Sequence, residues 1–314
     1  MRRREPSGTG TCVFCGKRRS ETGKPGARAS ACLCAECADR SRWMRADAWR
    51  ARAEEILLRA LRPRDPSAGR DGPPDANGPL GRCVWRGNSI WYRRDTSDLE
   101  VIREVLPRPW SEGEYRIPPT LEPRVILDVG GHIGTASVYF AARFPAARIY
   151  TFEPVPENFA LLSRNIAPYP NIEALPIALG REDGVVAMYH PMDATNRGGF
   201  SFFAGRADRT RTLAVDMRRP RGLLAELGIT RVDAVKIDAE GAEHDVLTGL
   251  GPALLVSIGW ITGELHGERD AELLRYLSQW FHLSVAERPG LLSRFDARNK
   301  RLAPRRAVTE RAGR

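Results

Sequence analysis

Three groups of residues in this 314-residue chain have types and spacings that could do chemistry. The first is "ILDVGGHIG", in which Asp128 is followed by Gly130, Gly131 and Gly134. It reads as a strand that ends in an acid, then a glycine turn, then a helix. Glycine accepts positive φ and lets the backbone approach a ligand. The free N–H groups of the helix start face an anion such as a carboxylate. The spacing is Asp-x-Gly-x-x-x-Gly, not the Gly-x-Gly-x-x-Gly of dinucleotide binders. Further on, "TFEP" puts Glu153 at the tip of the next strand, where a carboxylate can accept both hydroxyls of a ribose. The second group is acidic: Asp238, Glu240 and Glu243 in "IDAEGAE", then Glu264 and His266 in "GELHG". Histidine titrates near neutral pH and is a candidate base. Acids with a histidine also suit a divalent ion, but this spacing does not diagnose one. Acids in a first helical turn also serve the helix dipole, the reading preferred for Glu243. The third group is Cys12, Cys15, Cys34 and Cys37, two Cys-x-x-Cys pairs with eighteen residues between them. Four thiolates so spaced can surround a zinc ion, in a closed and therefore structural site. Cys32 is an extra thiol in the cluster, and Cys83 stands alone and reads as buried.

The elements that must position these groups follow from periodicity. From residue 124, short apolar runs ("RVILDVG", "ARIYTFEP", "IEALPIAL", "VDAVKIDAEG", "ALLVSIGWITGEL") alternate with helical patterns ("GTASVYFAARF", "PENFALLSRNI", "AEHDVLTGL", "ERDAELLRYLSQW"). That predicts an α/β fold, a mostly parallel sheet with helices on both faces. "FHLSVAE" and "GLLSRFD" pair as a closing antiparallel edge, and "CVWRGNSIWYRR" reads as a hairpin. "TSDLEVIREVL" is a short helix capped by Thr96 or Ser97. Ahead of these, 41–62 has helical spacing and 63–81 is a Pro/Gly-rich linker. The net charge is +10 and concentrates at the two ends. Arginine greatly outnumbers lysine, which reads as coding bias more than as a nucleic-acid footprint. No apolar run reaches the length of about 20 residues that spans a bilayer, and no signal-peptide pattern is visible. The expected location is the cytoplasm, where clustered cysteines bind metal more often than they form disulfides.

"VILDVGGHIGTASVYFAARFPAARIYTFEPVPENFALLSRNI" resembles the first half of a class I methyltransferase that uses S-adenosylmethionine. "VDAVKIDAEGAEHDVLTG" is similar to the signature of the FkbM-type methyltransferases, with "TSDLEVIREVL" and "GELHG" in the corresponding places. The resemblance covers roughly residues 90–285. It implies a class I methyltransferase-like, doubly wound, mostly parallel seven-stranded sheet, with cofactor and acceptor meeting at the strand C-termini. It implies that Asp128, Gly130 and Gly134, with Gly131 in the same turn, hold the amino-acid end of the cofactor. Glu153 would take the ribose and Ala178 would border the adenine. Asp238, Glu240, Glu264 and His266 would position a hydroxyl acceptor or act as base. His132 stands where the family more often has Asn and is read as a turn residue. Lys236, inside an apolar strand, is read as a structural partner for a carboxylate.

"CVFCGKRRSE…CLCAECADR" resembles the N-terminal zinc-binding domain of the ClpX chaperone, a module that dimerises and receives partners. No Gly-x-x-x-x-Gly-Lys-Ser/Thr occurs, so the chaperone's ATPase is missing. The expected organisation is a zinc-binding cysteine-knuckle domain at 9–45 with a helical extension to about 62 and a flexible linker at 63–82. A methyltransferase domain follows at 83–290 and a basic tail at 291–314. The expected activity is O-methylation of a small molecule or glycan, with the zinc module for dimerisation or partner docking. Two other readings stand beside it: a nucleic-acid methyltransferase using the basic ends, and a non-catalytic binding protein on a methyltransferase scaffold.

Overall fold

The computed structural model describes residues 79–107, 113–115, 117–203, 207–266, 268–286 and 293–301. The expected zinc ligands Cys12, Cys15, Cys34 and Cys37, the 41–62 helix, nearly all of the linker and the end of the basic tail lie outside the described residues.

The chain enters through a hairpin of β1 (Leu80–Trp85) and β2 (Asn88–Arg93), then α1 (Asp98–Val105). The hairpin begins inside the stretch expected to be linker, and Cys83 on β1 is half-buried, not buried. There follow β3 (Val125–Val129), α2 (Thr135–Arg143), β4 (Arg148–Phe152), α3 (Pro156–Ile166) and β5 (Ile172–Leu175). Then come β6 (Ala178–Leu179), β7 (Gly184–Pro191), β8 (Ala207–Arg218), α4 (Pro220–Glu226) and β9 (Ala234–Ile237). The chain closes with α5 (Glu243–Leu250), α6 (Pro252–Leu255), β10 (Trp260–Leu265), α7 (Asp270–Leu277), β11 (Phe281–Ala286) and β12 (Ser293–Asn299).

Seven strands form the main sheet in the order β11-β12-β10-β9-β3-β4-β5. All pairs from β10 to β5 are parallel, and β12 runs antiparallel to both of its neighbours. This is the doubly wound, mostly parallel seven-stranded sheet expected of a class I methyltransferase. Successive strand residues point to opposite faces. Thus Ile126, Ile149, Ala234 and Trp260 pack with α1, α2 and α3, while Leu127, Val129, Val235 and Ile261 pack with α4, α5 and α7. The order turns back on itself between β3 and β9, and open α/β sheets bind ligands in the crevice beyond such a switch point.

Three elements differ from expectation. "IEALPIAL" is not one strand: Pro176 cannot donate to a ladder, and the run splits into β5 and β6, with β6 in a separate three-stranded sheet, β6-β8-β7. "ALLVSIGWITGEL" begins as α6, whose first residue is Pro252, a position that suits proline. The sheet also continues past residue 290, because β12 is inserted between β10 and β11; residues 293–299 belong to the domain and not to a tail. No helix among the described residues is long and apolar enough to cross a membrane.

Candidate active site

Asp128, the last residue but one of β3, is a fully buried carboxylate. Its Oδ2 accepts a 2.6 Å hydrogen bond from Ser137 Oγ on α2, and its Oδ1 lies 3.4 Å from Lys236 Nζ on β9. Lys236 also donates to Gly130 O at 2.7 Å. Burial works against the Lys236 charge, but Asp128 and Asp238 outweigh it and hold the ammonium above its usual range. The structural reading of Lys236 therefore fits this geometry. Ser137→Ala would leave Asp128 Oδ2 buried without its donor, a loss of about 1–3 kcal/mol. The expected result is a lower urea midpoint with an unchanged slope.

After Asp128 the chain turns sharply. Gly130 has φ +78°, and a Cβ there would stand 1.8 Å from Asp238 O, so only glycine lets β3 and β9 deliver their ends side by side. Gly131 is packed against Thr151 and Leu162, and Gly134 caps α2 with φ +87°. His132 between them has φ +49°, a conformation for which Asn and His are the enriched side-chain-bearing residues. Its N–H donates to Glu153 Oε2 at 2.8 Å, and its Nε2 lies 3.2 Å from both Arg93 Nη2 and Asp98 Oδ1. The backbone of His132 thus serves the turn, as the sequence suggested, while its ring joins the Arg93–Asp98 pair.

Glu153 sits at the tip of β4, 4% exposed. Oε1 accepts the Val155 N–H at 2.9 Å and Oε2 the His132 N–H, and each carboxylate oxygen keeps further acceptor capacity. Burial pushes the carboxyl up, with these hydrogen bonds opposing it. Behind it runs a network absent from the sequence reading. Arg93 and Asp98 form a buried ion pair at 2.8 Å, Arg93 Nη1 donates to Asn158 Oδ1 at 2.8 Å, and Asn158 Nδ2 donates to Glu153 Oε1 at 3.4 Å. The nearest sequence signal was the cap of α1. Ser97 makes no side-chain cap bond; Thr96 Oγ1 accepts the Asp98 N–H instead.

The acidic group comes together at the C-terminal ends of β9 and β10. Asp238 and Glu240 follow β9, and Glu264 and His266 stand at the end of β10. Glu240 has φ +49°, an uncommon conformation for such a residue. His266 Nδ1 is 3.0 Å from Glu243 Oε1, and Nε2 is 3.4 Å from Glu264 Oε2 and 3.8 Å from both Asp238 Oδ1 and Glu240 Oε2. Burial disfavours the charged ring, but Glu243, Glu264, Asp238 and Glu240 outweigh it and raise its pKa to about 11. Burial, then the Asp238 charge, pushes Glu240 up to about 8. Glu243 is 1% exposed and accepts the N–H groups of Ala239 and Gly241 at 2.9 Å each. It braces the loop after β9, a structural task more specific than the dipole role expected of it.

A cleft runs along the sheet's C-terminal edge. Gly130, Glu153 and Ala178 line it on one side, and Asp238, Ala239 and Glu240 on the other. Its apolar wall includes Met188, Phe200 and Phe202, supplied by the β6-β8-β7 sheet and its connection. None of these three was singled out from the sequence.

Residues 128–283 match the family model for the Methyltransferase FkbM domain. The chain is 32% identical over 187 residues to the AMB antimetabolite synthetase AmbE of Pseudomonas aeruginosa, covering 46% of this chain and 8% of that one. It is 32% identical over 154 residues to Methyltransferase 1 of Beauveria bassiana, covering 43% of this chain and 62% of that one. It is 30% identical over 169 residues to the 31-O-demethyl-FK506 methyltransferase FkbM of Streptomyces tacrolimicus, covering 45% and 65%. The chain thus spans less than two-thirds of the length of each of these relatives.

Proposed function

For a chain that carries a methyltransferase FkbM domain over residues 128–283, we propose S-adenosylmethionine-dependent methylation of a hydroxyl on a small molecule or glycan. The observation that carries this reading is the single cleft joining Gly130, Glu153 and Ala178 to Asp238 and Glu240. The residues present fit the cofactor. The cleft has an apolar wall with a few polar groups placed along it, the kind of lining that small-molecule sites have. At the glycine turn, Thr135 Oγ1 is buried without a hydrogen-bond partner, and Asp128 Oδ1 meets only the Lys236 ammonium at 3.4 Å, polar capacity that an amino-acid group would use.

S-adenosylmethionine, when bound, supplies a methyl group on a positively charged sulfur. Asp128, Gly130, Gly131 and Gly134 hold the amino-acid end, where the N–H groups of the α2 start favour a carboxylate. Glu153 accepts the ribose hydroxyls, and Ala178 leaves room beside the adenine. Asp238, Glu240, Glu264 and His266 orient the acceptor hydroxyl and take its proton at a carboxylate oxygen. An oxygen acceptor is supported by the name of the Streptomyces tacrolimicus relative, which specifies a 31-O-demethyl substrate. "IDAEGAE" also stands where amino-group methylases of nucleic acid bases carry an Asn-Pro-Pro-Tyr-type segment. In this reading Cys12, Cys15, Cys34 and Cys37 hold structural zinc in a cytoplasmic protein, and the module docks a partner or a second copy through the 63–82 linker. Tethering would raise the effective concentration of what it docks.

Calorimetric titration of the zinc-loaded protein with S-adenosylmethionine tests the reading. Wild type is expected to bind saturably. Glu153→Ala removes charge-assisted hydrogen bonds of about 1.5–3 kcal/mol, which is roughly 10–150-fold in affinity. Ala178→Phe fills the adenine side of the cleft and is expected to weaken binding without touching Glu153. A folded wild type that binds no cofactor would refute methyl transfer.

A further inference from the structure

Asp238, Glu240 and His266 bring one ligand atom each to a common point beside the cleft. Those three atoms lie within 4.8 Å of one another. Nε2 of His266 is 3.8 Å from Asp238 Oδ1 and 3.8 Å from Glu240 Oε2. Donors about 2.1 Å from one octahedral ion stand about 3 Å apart when adjacent and about 4.2 Å apart when opposite. A small inward movement of side chains would therefore close the three atoms on an ion. The two acids are 36% and 28% exposed, so they have room for it.

An independent observation concerns His266 itself. Its side chain is 6% exposed, and Nε2 is buried without a well-aligned hydrogen bond, facing the acids, of which Glu264 Oε2 at 3.4 Å is the nearest. Its other nitrogen is committed. Nδ1 is 3.0 Å from Glu243 Oε1, and Glu243 already accepts two backbone N–H groups, so it acts only as an acceptor. The Nδ1 proton is fixed there, and Nε2 is the nitrogen presented to the cluster. A buried carboxylate holding one imidazole nitrogen while the other faces acids is the arrangement that orients metal-bound histidines.

We infer that Asp238 Oδ1, Glu240 Oε2 and His266 Nε2 form a binding site for a divalent cation of the Mn²⁺ class. Two carboxylates and one imidazole suit a hard to borderline ion, whereas a thiophilic ion prefers the cysteines. The remaining coordination positions are open to water and to an acceptor oxygen. Binding replaces a proton at Nε2, as is usual when ligands take up a metal, and offsets the negative charge gathered around the ring. A cation there would make a bound hydroxyl more acidic. Glu264, whose Oε2 lies 3.4 Å from Nε2 and outside the three ligands, is placed to receive that proton. This consequence for the acceptor rests on the methyl-transfer reading; cation binding itself does not.

The test is titration of the full, zinc-loaded chain with MnCl₂, followed by the paramagnetic resonance signal of free Mn²⁺. Wild type is expected to take up one Mn²⁺ per chain saturably and to melt at a higher temperature with it. The double variant Asp238→Asn, Glu240→Gln changes two partly exposed side chains and is expected to lose that uptake. Glu243→Gln, a positioning change, is expected to weaken it by about 10–100-fold. No uptake by folded wild type overturns the site, as does uptake of equal affinity in the double variant. S-adenosylmethionine titration of the same samples separates the two ideas. Cofactor binding without Mn²⁺ uptake sinks the cation site alone, and Mn²⁺ uptake without cofactor binding sinks methyl transfer alone.

Discussion

Glu240→Gln is expected to lower kcat for methyl transfer by about 10²–10⁴-fold, or about 2.7–5.5 kcal/mol of barrier. Glutamine keeps the size of the side chain and its ability to accept one hydrogen bond. It has no ionisable carboxyl, so above about pH 8, where Glu240 is ionised, it neither takes a proton nor binds a cation strongly as the glutamate does. Glu240 lines the cleft next to Asp238, and its Oε2 lies 3.8 Å from His266 Nε2. Its backbone stands in the left-handed region at φ +49°, where a glutamate costs stability instead of adding it. A purely structural Glu240 would tolerate the substitution with little change in rate. Single-turnover kinetics with saturating cofactor, alongside calorimetry for the cofactor, distinguish the outcomes. A variant with wild-type kcat would remove Glu240 from the chemistry, whether as base or as cation ligand.

Much of this site was legible because its signals are local. Asp128, the glycines and Glu153 lie on two successive strand tips, and the order strand, turn, helix is written in a single run of sequence. The positive φ at Gly130 and Gly134 is what those glycines foretold. Elements that depend on distant pairing were not legible. Met188 reaches the cleft from β7 and Phe200 from the connection after it, and neither short run carries a local motif that marks it as a cleft wall. The insertion of β12 between β10 and β11 is decided by ladder register, which leaves no mark on "SRFDARN" itself. The apolar run that starts α6 has the length at which strand and helix cannot be told apart by periodicity. The acids near His266 were each found, but their relations were not. Glu243 was read through its own helix, whereas its burial and its bond to His266 span 23 residues of sequence. The same applies with more force to Arg93, which meets Asn158 across 65 residues.

That last contact belongs to the network with the largest expected effect on stability. Asp98→Asn is expected to destabilise the domain by about 3–5 kcal/mol, because it leaves the Arg93 guanidinium buried opposite a neutral group. At about 2–4 °C per kcal/mol for a domain of this size, melting falls by roughly 6–20 °C. Both side chains are essentially inaccessible, 1% and 0% exposed, so solvent does not screen the loss. The effect is also pH-dependent in a definite sense. Burial opposes ionisation of Asp98, but the bonds and charges of His132 and Arg93 outweigh it and hold the carboxyl well below its ordinary value of 3.8. A depressed folded pKa means that the stabilisation is complete above the unfolded-state value of about 3.9 and is lost as pH falls through the folded one. Urea unfolding should therefore show wild type well above the variant at pH 7 and the two converging below about pH 4. A gap under about 1 kcal/mol at pH 7, the size of an exposed pair, would contradict this reading. Such a change would not stay remote from the site. The same Asp98 holds Arg93, Arg93 holds Asn158, and both Asn158 and the His132 N–H meet the Glu153 carboxylate. Cofactor affinity should fall in Asp98→Asn even at temperatures where the variant is fully folded, since the carboxylate assigned to the ribose loses the frame that aims it.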